Sequence, residues 1–394
     1  MKNHKNEPSI FILQLLASFA IVSAVLFTPA LPEITQKLGL SDSQAMWTMT
    51  AFLLGYSIGN LPYGPISNRL GRKPTLYLGI LIAILGSLLT VLVDKFPIFQ
   101  LLVVGRFLMA LGSTVGLQIA FTMIGDVYQH HKATKKAAAL MMIFAVGPGV
   151  ATAIGGLLTK HFGWPSCFYF LMGYSIFLLF LSSILPETCK KHDPQALNLK
   201  KIKDGYLHIL KNSKFTTCAL LMGCGTSFVY LFSSEAPFIG INTIGLTAAQ
   251  YGLLNIIPPI GVIIGSTLAH IFAGKKEVAL VILLGIFSAL SAAIVMLLLF
   301  LFGIVNLWSL FMPMPFVLIG QAMVTSNVSA MALGHSQNKS YASGMLNFIN
   351  MATSFVFLLL AGAMDIQKTL LLPILLCVVG IFMLLLTKIL RVAN

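Results

Sequence analysis

Twelve stretches of about 20 mostly apolar residues, separated by short charged or turn-rich breaks, confine this chain to one solvent and one kind of backbone. A hydrocarbon layer about 30 Å thick takes about 20 residues of helix. Inside it every peptide N–H and C=O must be bonded within its own segment, which a helix does and an open strand cannot. The stretches are continuous and do not alternate, so the expected fold class is an all-α integral membrane protein. Composition agrees, with 57% hydrophobic and 9% charged residues against roughly 25% charged in soluble domains.

The apolar runs predict spans over 9–31, 45–66, 75–93, 97–124, 137–159 and 165–185, then 215–239, 249–273, 278–302, 308–333, 341–363 and 369–388. Between the two sets lies the longest polar stretch, 186–214, with Lys190, Lys191, Lys200, Lys201, Lys203, Lys211 and Lys214. The expected organisation is a six-helix half over 1–185, a basic linker over 186–214 and a second six-helix half over 215–394.

A net charge of +14 would suit a nucleic-acid binder, but its placement along the chain says otherwise. With a cytoplasmic N-terminus, all but five of the 25 Lys and Arg fall on the cytoplasmic side. Lys37, Lys95, Lys160 and Lys368 fall outside, and Arg106 lies within a span. That asymmetry is the positive-inside pattern, and it predicts both termini and the linker in the cytoplasm of a bacterial inner membrane. Lys2 to Lys5 before the first run could head a signal peptide. The run is too long, however, and ends in Thr28-Pro29-Ala30-Leu31-Pro32, so it is expected to stay as the first helix.

An internal repeat supports two halves. An offset of 206 positions pairs Gly39 with Gly245, Leu40 with Leu246, Ser41 with Thr247, Gln44 with Gln250, Gly55 with Gly261, Ile58 with Ile264 and Gly59 with Gly265. Parallel six-helix repeats are the architecture of transporters that rock about a midplane site.

The loop between the second and third spans reads Gly64-Pro65-Ile66-Ser67-Asn68-Arg69-Leu70-Gly71-Arg72-Lys73-Pro74. Gly64 and Gly71 allow a tight turn and close backbone approach. Arg69, Arg72 and Lys73 can latch onto carboxylates or helix C-termini. Asp126, at the predicted cytoplasmic end of the fourth span, is the expected partner of Arg72. Arg106 lies roughly ten residues into the same span, about 15 Å deep at about 1.5 Å per residue. A guanidinium at that depth needs a wet cavity or a partner, so it is a functional candidate, with bracing of neighbouring helix backbone as the alternative.

These residues, together with Pro29-Ala30-Leu31-Pro32, Arg106-Phe107-Leu108, Asp126-Val127-Tyr128, Gly155-Gly156, Gly163-Trp164 and Pro237-Phe238, resemble the major facilitator superfamily. Within it the chain is similar to the Bcr/CflA branch of drug:proton antiporters. The resemblance implies the major facilitator fold and efflux of small organic molecules by alternating access. It also implies a part for Arg106 in proton or substrate coupling, and a contact of Arg72 with Asp126 that forms in one access state and breaks in the other; the state expected to hold it is the outward-facing one.

The sequence departs from that pattern at the coupling chemistry. Val25 stands where the family carries an acid in the first helix. Asn68 replaces the signature's acid, Gly125 an Arg, and Met109 a Gln. Glu235, in Phe232-Ser233-Ser234-Glu235-Ala236-Pro237, is the acid left well inside a span and the candidate to carry a proton; an outer-rim position is the alternative. The fifth span holds Gly147-Pro148-Gly149 and Gly155-Gly156, a bend-and-close-packing pattern similar to that of antiporters in the superfamily. Gln14, Gln118, Asn255, Gln321, Asn327, Asn347 and Asn350 are cavity candidates, as are Phe228, Tyr230 and Phe232.

No phosphate-binding loop, zinc spacing or nucleophile elbow occurs, so neither an enzyme nor a cofactor is expected. The five cysteines show no paired spacing, and no metal site is expected. The expected partners are a small-molecule substrate, protons and the lipid bilayer, with the chain as a monomer. A downhill facilitator or importer, and a non-transporting receptor or scaffold, are the competing functions.

Overall fold

The computed structural model describes residues 7–128, 130–334, 339–364 and 368–392; Lys2 to Lys5 lie outside them. The described residues are helical, with no strand among them. The first set comprises α1 (Ile10–Val25), α2 (Leu31–Leu38), α3 (Asp42–Gly59), α4 (Tyr63–Leu70), α5 (Arg72–Leu92), α6 (Phe99–Val127), α7 (His130–Phe162) and α8 (Pro165–Ile184). A linker helix, α9 (Leu199–Leu210), leads to α10 (Ser213–Pro237), α11 (Ala248–Leu254), α12 (Pro258–Phe272) and α13 (Val278–Leu301). The chain finishes with α14 (Leu307–Phe311), α15 (Pro313–Gly334), α16 (Lys339–Ala363) and α17 (Lys368–Val392).

Among the described residues eleven spans are long and apolar enough to cross a bilayer, counting α1 with α2, α11 with α12, and α14 with α15. The twelfth, α3, opens on Asp42, Ser43 and Gln44 and packs between α6 and α16, so protein rather than lipid covers much of it.

Several expected spans are broken, and proline accounts for the breaks. Pro29 has no N–H to give Val25 O, which accepts from Thr28 Oγ1 at 2.9 Å instead. The second span stops at Gly59 and resumes at Tyr63, past Pro62. The eighth stops at Leu254 and resumes at Pro258. The fifth stays continuous through Pro148.

The repeat found in the sequence reappears as geometry. Ser41 and Gln44 form a reciprocal capping box at the start of α3, and Thr247 with Gln250 forms the same box at α11. Gly39 and Gly245, just before them, both have positive φ, 62° and 83°.

We call the end of the bundle bearing 186–214 the linker face and the opposite end the far face. At the far face the two sets close on each other. The turn 28–30 meets α10 and α11, and the outer part of α7 packs on α11. One hydrophobic core joins Val25, Phe27 and Trp164 with Tyr230, Phe238 and Tyr251 there. Toward the linker face the first set keeps a separate core around Leu13, Leu16, Phe19, Ile80, Ile119 and Leu178. The sets stay in touch on that side mainly along the seam of α3 and α16, where Ser57 Oγ donates to Phe348 O at 3.1 Å.

Candidate functional site

The break in the first span decides where Arg106 goes. Its guanidinium is fully buried, with 0% exposure. Nη1 donates to Ser23 O and Nη2 to Ala24 O, the carbonyls just upstream of the break. The rings of Phe27 and Phe52 face the cation at 4.0 and 4.4 Å. These contacts make Arg106 a brace of the broken helix, held by carbonyl dipoles and aromatic faces. Its Nε has no hydrogen-bond partner, and Ser23 Oγ beside it has none either. Tyr230, across from it on α10, lies within electrostatic reach of the guanidinium.

Other buried polar atoms without partners come from both sets: Gln118 Oε1, Ser234 Oγ, Gln321 Oε1 and Asn350 Oδ1. Buried polar groups nearly always find partners, so orphans drawn from α6, α10, α15 and α16 mark places where water or a ligand completes the bonding. Glu235 is 6% exposed and sits near the far end of α10.

Several amide candidates already serve the backbone. Gln118 Nε2 donates to Asn60 O at 2.8 Å and to Asn60 Oδ1 at 3.0 Å, tying α6 to the break after α3. Gln14 Nε2 donates to Ala139 O at 3.1 Å, joining α1 to α7. Asn255 and Asn327 bond back to carbonyls four residues upstream in their own helices, Tyr251 O and Met323 O. Asn347 is half-buried on α16; Phe228 and Phe232 are buried on α10, and Phe232 packs edge-on against Phe311.

The glycines of α7 lie where the two sets meet. A Cβ on Gly156 would stand 2.4 Å from Ala248 O, and one on Gly149 would stand 3.0 Å from Asn255 O. Gly155 faces Leu26 in the first-span break, while Gly147 faces Ile21. Small residues here let α7 approach both its own set and the opposite one.

At the linker face the signature loop is built around Arg72. Its Nε donates to Asp126 Oδ2 at 2.8 Å and its Nη2 to Asp126 Oδ1 at 3.2 Å, a two-pronged pair. Nη1 donates to Ser67 O at 2.8 Å and to Asn68 Oδ1 at 2.9 Å, so the amide at position 68 still works as an acceptor. Arg69 is exposed, and Ser67 Oγ donates to Gly64 O at 2.9 Å. Both Arg72 and Asp126 belong to the first set. The contact is expected in the outward-facing state, yet it is made here while the sets part at the linker face; it lies within one set and does not itself bridge the two.

Sequence reasoning missed what covers this loop. Glu187 Oε1 accepts from Arg72 N at 3.0 Å and Oε2 from Lys73 N at 2.9 Å, capping the start of α5. Thr188 Oγ1 donates to Asp126 Oδ2 at 2.8 Å, and Asp193 N to Asn68 O at 2.9 Å. Burial raises the Glu187 carboxyl, but the N–H groups of Cys189, Lys73, Arg72 and Thr188 outweigh it and hold the group below its ordinary value. Gly71, at φ 101°, is required twice over: for its backbone angle, and because a Cβ would stand 2.8 Å from Glu187 Oε2. The available signal was an isolated acid at the head of a lysine-rich linker.

Two repeated six-span sets around buried polar groups, closed at one face and parted at the other, define a multi-pass membrane transporter of the two-repeat type. The chain belongs to the Major Facilitator Superfamily, whose model matches residues 10–358. This is a family of transporters and not of enzymes. The chain is 26% identical over 327 residues to Multidrug resistance protein D of Escherichia coli strain K12, covering 82% of this chain and 80% of that protein. It is 31% identical over 294 residues to the uncharacterized MFS-type transporter YdgK of Bacillus subtilis strain 168, covering 73% and 71%. A bicyclomycin resistance protein homolog of Haemophilus influenzae is 26% identical, with 69% of each chain covered. The fold is also that of a crystal structure of a D-xylose-proton symporter, at TM-score 0.75, 14% identity and 95% and 96% coverage.

Proposed function

We propose that this chain exports small organic molecules across a bacterial inner membrane by alternating access, with 1–185 and 215–394 moving as units joined by 186–214. The observation that carries the reading is the pairing of a closed far face and a parted linker face around orphaned polar groups from both sets. Two of the similar proteins are named for drug resistance, which supports efflux as the direction. The positive-inside distribution of Lys and Arg supports cytoplasmic termini and a linker face open to the cytoplasm. The protein works as a monomer in contact with lipid.

The cargo is neutral or weakly charged, because Arg106 is already engaged by carbonyls and the orphaned neighbours are amides and hydroxyls. Coupling, where present, passes through Glu235, since Val25 carries no proton and Asp126 is held by Arg72. Reconstituted vesicles with an imposed pH gradient, tested with a panel of lipophilic dyes, should show gradient-dependent accumulation that Glu235→Gln removes while downhill exchange persists. Accumulation that survives the substitution would move coupling elsewhere. Downhill exchange without any accumulation in the parent protein would favour the second reading, a facilitator, to which Val25 at the family's acid position points.

A further inference from the structure

The chain passes from one set to the other through α9, and one side chain of α9 touches both. Tyr206 and Ile209 are buried on the protein-facing side of this helix, while Leu199, Lys203 and Leu207 are exposed. The Tyr206 ring stands edge-on to Tyr341 of α16, with centroids 5.2 Å apart and planes at 81°. The fit is tight at two glycines, one on each helix. A Cβ on Gly205 would stand 3.2 Å from the Tyr341 ring, and one on Gly344 would stand 3.2 Å from Tyr206 Oη. The linker helix therefore rides on the second set.

Its hydroxyl reaches into the first. Tyr206 Oη donates to Leu61 O at 2.8 Å, in the break between α3 and α4. Four residues on stands Pro65, which has no N–H to offer that carbonyl, so the bond from Tyr206 replaces a missing helical one. Asn60 O, one residue earlier, is served by Gln118 from within its own set. Leu61 O is thus the carbonyl at this break whose partner comes from beyond the first set. Burial pushes the Tyr206 phenol up to about 12, so it keeps the proton it donates.

We infer that Tyr206 is a positioning residue for alternating access: its hydroxyl bonds Leu61 O while the linker face is open and biases the equilibrium toward that state. The inference rests on the two-unit reading above. Because α9 packs on α16 and α10, it moves with the second unit, whereas Leu61 moves with the first. A bond of 2.8 Å between bodies that rotate against each other holds in one arrangement and breaks in the other. A contact made in only one of two states shifts their populations by its differential strength.

The test is thiol access rather than cargo flux. Asn347→Cys places a reporter on α16, three residues beyond Gly344. Four of the five native cysteines are buried, so Cys189→Ser gives the background. A water-soluble maleimide is applied to the linker face in membranes. Tyr206→Phe should lower the labelling rate by up to about fivefold, the change in the open-to-closed ratio that one neutral hydrogen bond gives. Pro65→Ala restores an N–H for Leu61 O, and in that background Tyr206→Phe should lower labelling by less than about twofold. No fall with Pro65 in place, or equal falls in both backgrounds, overturns the inference. Pure helix packing would leave Tyr206→Phe silent, because the ring is kept. A chain that moves none of the tested dyes would count against the transport reading while this experiment still reports on Tyr206.

Discussion

In the first half, Gly79 of α5 and Gly112 of α6 approach so closely that a Cβ on Gly112 would stand 2.3 Å from Gly79 O. In the second, Gly285 of α13 and Gly320 of α15 do the same, with a Cβ on Gly320 2.1 Å from Gly285 O. Gly55 and Gly59 face the Phe107 and Leu111 carbonyls of α6 just as Gly261 and Gly265 face the Pro315 and Ile319 carbonyls of α15. The polar chemistry is not repeated. The 206-residue offset carries Arg72 onto Val278, and the end of α15 has Gly334 where the end of α6 has Asp126. Arg106 likewise has no basic counterpart within α15. Helix packing in lipid needs small residues at set places in both halves, whereas charged braces are needed only where a helix is broken or a loop must be held.

The largest effect should fall on the brace without a counterpart. Arg106→Leu leaves two buried carbonyls unserved at roughly 1–3 kcal/mol each. Thermal unfolding in detergent should show a loss of roughly 2–6 kcal/mol on that basis. A loss under about 1 kcal/mol would show that water fills the gap and that the halves differ less than their contacts suggest.

Next come the repeated glycines. Gly112→Val and Gly320→Val should each destabilise by roughly 1–3 kcal/mol, the usual range for overpacking, and to similar extents. A clear inequality would show that one half relaxes more easily and would break the symmetry of packing.

A smaller effect, on rate rather than stability, belongs to the one-sided loop. Arg72→Ala should slow dye transport about tenfold with normal insertion and dye binding, by loss of a charge-assisted pair. Asn68→Ala, which removes one acceptor, should slow it less. Lys275→Ala in the matching loop of the second half should leave the rate unchanged. Equal effects at Arg72 and Lys275 would reduce both loops to orientation signals.

The smallest effect concerns pH. The Glu187 carboxyl is depressed below its ordinary value of 4.5, so its contribution is complete above that value and is lost as pH falls through the depressed one. Protease nicking of 188–198 should therefore be constant from about pH 8 to about pH 5 and rise only in stronger acid. Glu187→Gln should raise nicking from about pH 5 to about pH 8 and remove the rise in stronger acid, because the amide cannot titrate.

The spans, the repeat and the Arg72 to Asp126 pair were legible because each leaves a local mark: an apolar run, matching residues at a fixed offset, or a basic loop facing an acid at a helix end. The partners of Arg106 were not. Pro29 announces a break, but which side chain serves the carbonyls of Ser23 and Ala24 depends on how α6 packs against α1, some 80 residues away in the chain. Tyr206 was hidden for the same reason. Pro65 strips a donor from Leu61, and the replacement lies 145 residues on, in a stretch that reads as a solvated basic linker. Gln118 and Gln14 looked like cavity amides because sequence cannot tell an amide bonded to a neighbouring backbone from one facing a ligand.

The central claim, that two units rock about a seam so that one face opens as the other closes, is best tested by paired distances in lipid nanodiscs. Spin labels at Leu70 and Lys276 report the linker face, and labels at Asp94 and Phe302 report the far face, all four positions being exposed. Each pair should give two distance populations, and any condition that lengthens one pair should shorten the other. A single fixed distance at both faces, or two faces that open together, would contradict the account.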